Sequence, residues 1–224
     1  MFFSMITVRF RHFFFCSAMI FCYSCQAQSD AGDLSGAASR ANLLGGPCEG
    51  CEAVFEFGDR PLAAVDTLPD FQDPGPRLKL TGTVYQADGE TPAPGVVLYI
   101  HHTNQEGIYP PGEHPKGWQA RHGYIRGWVR TGADGQYTFY TLRPASYPDS
   151  RNPAHVHAFV LEPRGYYYLE AYHFADDPLL TETIRNPKAP YGGNGVVDLR
   201  REGEMLVAER DIVLGLHVPD YPGN

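Results

Sequence analysis

Between residues 76 and 214 the chain breaks into short apolar runs, each closed by a Gly, Pro, Asn or Asp turn signal, with no sustained helical period. Leu78-Lys79-Leu80-Thr81-Gly82-Thr83-Val84-Tyr85 alternates apolar and polar residues, as a half-buried strand does, and turns at Ala87-Asp88-Gly89. Further strands are expected over 96–102, 124–130, 136–142, 155–161, 166–174 and 210–214, with Ala133-Asp134-Gly135 as another turn and a long loop over 103–123. The 19 prolines gather between these runs, where a sheet tolerates them. This pattern predicts an all-β chain, a β-sandwich of mostly antiparallel strands with long loops and little helix.

The 224 residues suffice for one such domain with tails. Arg9, Arg11 and His12 precede an apolar run from Phe13 to Tyr23, too short for a membrane span, so 1–27 reads as an export signal. Two processing routes are open: cleavage after Cys25-Gln26-Ala27, or lipidation of Cys25 with membrane anchoring. The protein is accordingly expected to be periplasmic, an outer-membrane lipoprotein or secreted. Residues 28–75 read as a linker and N-terminal arm, with Val54-Phe55-Glu56-Phe57 as a short strand; 76–218 form the sandwich and 219–224 a tail. Cys48 and Cys51 are the only cysteines outside the signal; a redox pair and half a zinc site are alternatives, but outside the cytosol a plain disulfide is expected. A formal charge of -8, with no basic cluster, excludes nucleic acid as the expected partner.

His155 and His157 stand two apart on an expected strand, so their imidazoles share one face. Such a pair is either two ordinary sheet histidines or a metal-binding pair, since neutral imidazole is a common ligand for transition metals. Tyr109, in the loop after the second strand, and Tyr147, eight residues before His155, add hard oxygen donors. Two phenolates with two imidazoles favour ferric over ferrous iron.

Several segments, in order, resemble the intradiol ring-cleavage dioxygenases: Gly107-Ile108-Tyr109, Arg126-Gly127, Asp134-Gly135-Gln136-Tyr137-Thr138-Phe139, Thr141-Leu142-Arg143-Pro144, Tyr147-Pro148 and Pro153-Ala154-His155-Val156-His157. The resemblance covers about residues 76 to 178, and the lack of a large helical N-terminal segment is closer to the protocatechuate-type subunit. It implies Fe(III) held by Tyr109 and His155 as equatorial and Tyr147 and His157 as axial ligands. It also implies a catechol-type substrate cleaved with O2 between the hydroxyl-bearing carbons to a muconate-type dicarboxylate, with Tyr147 as a proton acceptor. Where that family has an Arg and a Gln near the substrate, this chain has Asn152 and Ala171. Arg126, Arg151 and Arg143 are candidates for the displaced electrostatic role, and His101, His102, His114, His122 and His173 for the rim. A homo-oligomer is compatible with the sequence. Two other readings stand beside this one: a noncatalytic sandwich of transthyretin-like or carboxypeptidase-regulatory-like type, and a degenerate dioxygenase homologue that keeps iron without turnover.

Overall fold

Alternation in the run from Arg77 to Tyr85 hides Leu78, Leu80, Gly82 and Val84 while their neighbours stay half-exposed, the signature of a strand with one face against a core. The computed structural model describes residue 1 and residues 41–223. The chain divides into two compact units, Met1–Gly32 and Asp33–Asn224, and every element below belongs to the second. The export signal read over 1–27, Cys25 included, and the start of the linker lie outside the described residues. No helix among the described residues is long and apolar enough to cross a membrane.

The strands, in chain order, are β1 (Val65–Thr67), β2 (Arg77–Tyr85), β3 (Val97–His102), β4 (Arg126–Arg130), β5 (Gln136–Leu142), β6 (His155–Glu162), β7 (Gly165–Phe174), β8 (Val196–Val197), β9 (Leu199–Glu202), β10 (Met205–Glu209) and β11 (Ile212–Val213). Two one-turn helices, α1 (Gln119–His122) and α2 (Glu182–Arg185), and two 3-10 segments, Cys51–Phe55 and Pro69–Gln72, accompany them. One sheet runs β1-β5-β2-β10-β9 with β11 beside β2; the other runs β4-β3-β6-β7-β8. The long pairings, β2 with β5 and β3 with both β4 and β6, are antiparallel, while the short strands β1, β8 and β11 pair in parallel.

Leu78, Leu80, Val84 and Phe139 of the first sheet and Leu98, Ile100, Val129, Val156 and Val160 of the second belong to one apolar core. Each such side chain contributes about 1.5–3 kcal/mol by leaving water. β3 is buried at every position, so it has cover on both faces. Its second face carries Val97 and Tyr99, which pack with Trp128, Phe159 and Leu161 against Cys51, Ala53, Val54 and Phe57 of the N-terminal arm.

Two elements differ from the sequence-based expectation. The expected strand at 54–57 is the end of a 3-10 turn, because Gly50 at φ 85 and the Cys48–Cys51 disulfide start a tight coil that Glu56 closes onto the Ala53 carbonyl. The strand expected over 210–214 is shortened to β11, and β10 before it was not expected. Arg210 separates the two, its buried side chain donating to the Glu170 and Gly193 carbonyls at 2.6 and 3.0 Å. Opposite the break stands Gly82, where a Cβ would fall 1.8 Å from the Arg210 carbonyl oxygen.

Candidate metal centre

Strand parity decides where the histidines point. His101 pairs in register with His157, and Tyr99 with Phe159, so all four lie on the arm-covered face of the second sheet rather than between the sheets. His155 lies beside them, one step before an irregularity in the β6–β7 register between Val156 and Ala158. The tyrosines come from two loops that are stitched together. Thr103 Oγ1 donates to the Ala145 carbonyl at 2.6 Å, and the Ala145 N–H to the Asn104 carbonyl at 3.2 Å. Asn104 Oδ1 accepts the Glu106 and Ile108 N–H groups at 2.9 and 3.1 Å, which folds the loop tip back toward the sheet. Gly107, at φ 76, lets this loop press against the other: a Cβ there would stand 2.0 Å from the Ser146 carbonyl oxygen.

The four donors expected from the sequence come together. Tyr109 Oη is 2.6 Å from Tyr147 Oη and 3.0 Å from His157 Nε2. Tyr147 Oη is 3.1 Å from His155 Nε2 and 3.4 Å from His157 Nε2, and the two Nε2 atoms are 3.1 Å apart. His155 Nδ1 faces the Pro153 carbonyl at 2.8 Å. A carbonyl only accepts, so Nδ1 carries the proton and Nε2 of the neutral ring offers a bare lone pair to the cluster.

Electrostatics keep these rings uncharged. Burial pushes His155 down, and burial followed by the neighbouring His155 pushes His157 down to about 3. Burial and then the Tyr147 hydrogen bond push the Tyr109 phenol up. Two neutral imidazoles and two phenols leave the cluster rich in lone pairs and poor in protons. A cation at its centre fits that donor set, and it would reverse the tyrosine shift by favouring phenolate.

Beside the donors lies a cavity of about 320 Å³, bounded by Tyr109, Tyr147 and His157 together with His101, Trp118, His122 and Phe159. A second, of about 450 Å³, meets His157 and Phe159 from the side of Pro47, Cys48 and Ala171. Glu49, held between the disulfide-linked Cys48 and Cys51, lines both.

Other sequence candidates are placed elsewhere. Arg126 is not among the residues lining either cavity; it donates to Glu56 at 2.5 Å and lies 5.0 Å from the Trp128 ring centroid. Arg151 is exposed, and Arg143 is held by Asp176 through two bonds of 2.9 and 2.7 Å. Carboxylates thus engage Arg126 and Arg143, and Arg151 stays exposed. His101 and His122 do line the cavity, and His173 packs on His155. His102 points the other way, between the sheets, and His114 is exposed. Glu49, Trp118 and Phe159 carry no local signal that sequence reasoning could have used.

The family model described as Dioxygenase matches residues 59–191. Catechol 1,2-dioxygenase 1 of Acinetobacter lwoffii is 34% identical over 135 residues, covering 53% of this chain and 42% of that protein. The chain thus spans about two fifths of that relative's length. Catechol 1,2-dioxygenase from Acinetobacter sp. ADP1, in a structure inhibited by bound mercury, superposes with a TM-score of 0.51 at 26% identity over 70% of this chain and 60% of that one. The dioxygenase domain of a carbohydrate-binding fusion protein from Streptomyces sp. SirexAA-E gives a TM-score of 0.51 at 23% identity, covering 69% and 90%, a likeness of fold.

Proposed function

The chain belongs to the intradiol ring-cleavage dioxygenases, and from that membership we propose that it holds Fe(III) through Tyr109, Tyr147, His155 and His157. There it cleaves a catechol-type aromatic with O2 to a muconate-type dicarboxylic acid. The observation that carries this reading is the convergence of the four donor atoms, each 2.6–3.4 Å from at least two of the others, with His155 Nε2 freed by the Pro153 carbonyl. When bound, ferric iron supplies a Lewis acid that favours the catechol dianion and lets its electrons reach O2. Both oxygen atoms enter the product, so the overall reaction needs no external reductant.

The protein's own groups do the rest. Tyr147 Oη, hydrogen-bonded to Tyr109 and to His155, is placed to take a proton from a catechol hydroxyl once it is a phenolate. Tyr109 Oη and His157 Nε2, 3.0 Å apart, fix the opposite flank of the cluster. Trp118 and Phe159 give the cavity aromatic walls against which a catechol ring can lie flat and exclude water. A noncatalytic binding sandwich has no need for these four donors at one point. A centre that keeps iron without turnover is the second reading, favoured by the exposed Asn152 and by the bare methyl of Ala171.

Loading the purified protein with ferric iron is expected to give a red to burgundy colour from tyrosinate charge transfer. Tyr147→Phe is expected to shift that band. A colourless protein overturns both iron readings. O2 uptake with catechol, protocatechuate or hydroxyquinol then separates an active enzyme from an inert centre. Export through the 1–27 signal, with or without a lipid on Cys25, belongs to the same proposal, and the mass of the mature N-terminus tests it.

A further inference from the structure

A line of side chains outside the donor set ends on the cavity wall. Glu56, at the end of the arm's 3-10 turn, accepts the Trp118 N–H at 2.8 Å with one oxygen and Arg126 Nη1 at 2.5 Å with the other. Nearby stands Tyr99, a side chain with no exposed surface, on whose phenol the Arg126 charge acts. Tyr99 Oη is 2.8 Å from His122 Nδ1. A phenol is a stronger proton donor than a neutral imidazole, so Tyr99 gives its proton to His122 Nδ1. With Nδ1 accepting, the neutral His122 ring must carry its proton on Nε2.

His122 is kept neutral, pushed down to about 4 by burial and then by the Arg126 charge. Its Nε2 has no hydrogen-bond partner among the described residues, although the ring lines the cavity. Gly50 packs beside that nitrogen, and any side chain there would strike it: a Cβ would stand 2.4 Å from Nε2. The His122 ring stacks on His101 at 3.9 Å and 6°, and His101 stacks on His157 at 4.6 Å and 14°. His122 thus stands two stacking steps from a donor imidazole. That is too far for the hydroxyls of a catechol held at the donors, and within range of a substituent on its ring.

We propose that His122 is a substrate-contacting, specificity-determining residue whose Nε2–H selects catechols bearing a hydrogen-bond acceptor on the ring, with Tyr99 as the positioning residue that fixes its tautomer. This rests on the catechol dioxygenase reading above and adds the class of substituent that the site prefers. The cavity of about 320 Å³ has room for such a group beyond the ring itself.

The test compares dissociation constants of catechol and of 3- and 4-acetylcatechol for the iron-loaded protein without O2, read from the charge-transfer band. His122→Phe is expected to weaken at least one acetylcatechol about tenfold while leaving catechol within about twofold. His122→Gln, which offers an N–H near the same place, is expected to restore most of the loss. Equal changes for catechol and both acetylcatechols, or no change, overturn the proposal. A second measurement does not depend on iron: in the purified protein before metal is added, nitrogen NMR of labelled histidine is expected to show His122 protonated on Nε2, and Tyr99→Phe to lose that preference. A ring protonated on Nδ1 in the wild type overturns the proposal. Failure to colour with ferric iron instead overturns the dioxygenase reading and leaves the tautomer result standing, so the two failures are told apart.

Discussion

Each imidazole near the cluster is kept neutral by its surroundings, and that neutrality has a consequence for stability. His122 titrates near 4 in the folded chain, against an ordinary histidine near 6.5 when unfolded. Between those values the unfolded chain binds the proton and the folded chain does not, so stability rises with pH across the window. The contribution is complete above about pH 6.5 and is lost as pH falls toward 4, by on the order of 2 kcal/mol for this largely buried ring. Urea unfolding of the iron-free protein at pH 7, 6, 5 and 4.5 is expected to show a falling midpoint. The fall should be smaller in His122→Gln, which has nothing to titrate; an identical pH slope in the two proteins would count against the assignment. His157 adds to the same trend through its own depression, and bound iron should oppose it because protonation competes with metal for the same nitrogens.

The tyrosine donors owe their meeting to two loops rather than to any strand, and Gly107 is where those loops touch. A Cβ at this left-handed position would both strain the backbone and strike the Ser146 carbonyl. Gly107→Ala is expected to cost about 1–3 kcal/mol, and more tellingly to separate Tyr109 from Tyr147, so that ferric colour is weakened even in molecules that remain folded. A variant with unchanged melting and unchanged colour would show that the loop contact is dispensable. The strands flanking these loops were legible in the sequence because alternation is a local property: the expectations for 78–85, 136–142 and 155–161 fall within one residue of β2, β5 and β6 at either end. β1, β8, β9 and β10 were not, since two to five residues carry little pattern and exist as strands through their partners. At 54–57 a strand-like alternation was overridden by Gly50 and by the small disulfide ring before it. The same division holds at the site. The donors announce themselves by residue type and spacing, whereas Glu49, Trp118 and Phe159 border the cavity only because the arm packs over the second sheet, a long-range event without a local signal.

In the whole molecule β3 divides two jobs between its faces, and the adjacent pair His101 and His102 shows the division most directly. His101 stacks on His157 at the candidate centre. His102 turns into the sandwich, where its Nε2 is 2.7 Å from Thr141 Oγ1 of the other sheet. Thr141 donates to Asp70 Oδ1 at 2.8 Å, and the Leu142 N–H donates to Asp70 Oδ2 at 3.2 Å. Asp70 comes from the Pro69–Gln72 turn, so one buried network ties the arm to both sheets. Removing its carboxylate leaves the Thr141 hydroxyl and the Leu142 N–H without that acceptor, both out of reach of water. Unpaired buried groups of this kind cost more than the bonds contribute when whole. Asp70→Ala is therefore expected to lower unfolding stability by about 3 kcal/mol, and Asp70→Asn by less, since its amide oxygen can still accept. The network lies on the side of β3 away from Tyr109, Tyr147, His155 and His157, so at temperatures well below its melting the Asp70→Ala protein should still colour with ferric iron. Loss of colour in a folded Asp70→Ala protein would show instead that the sandwich interior and the metal face are coupled through β3.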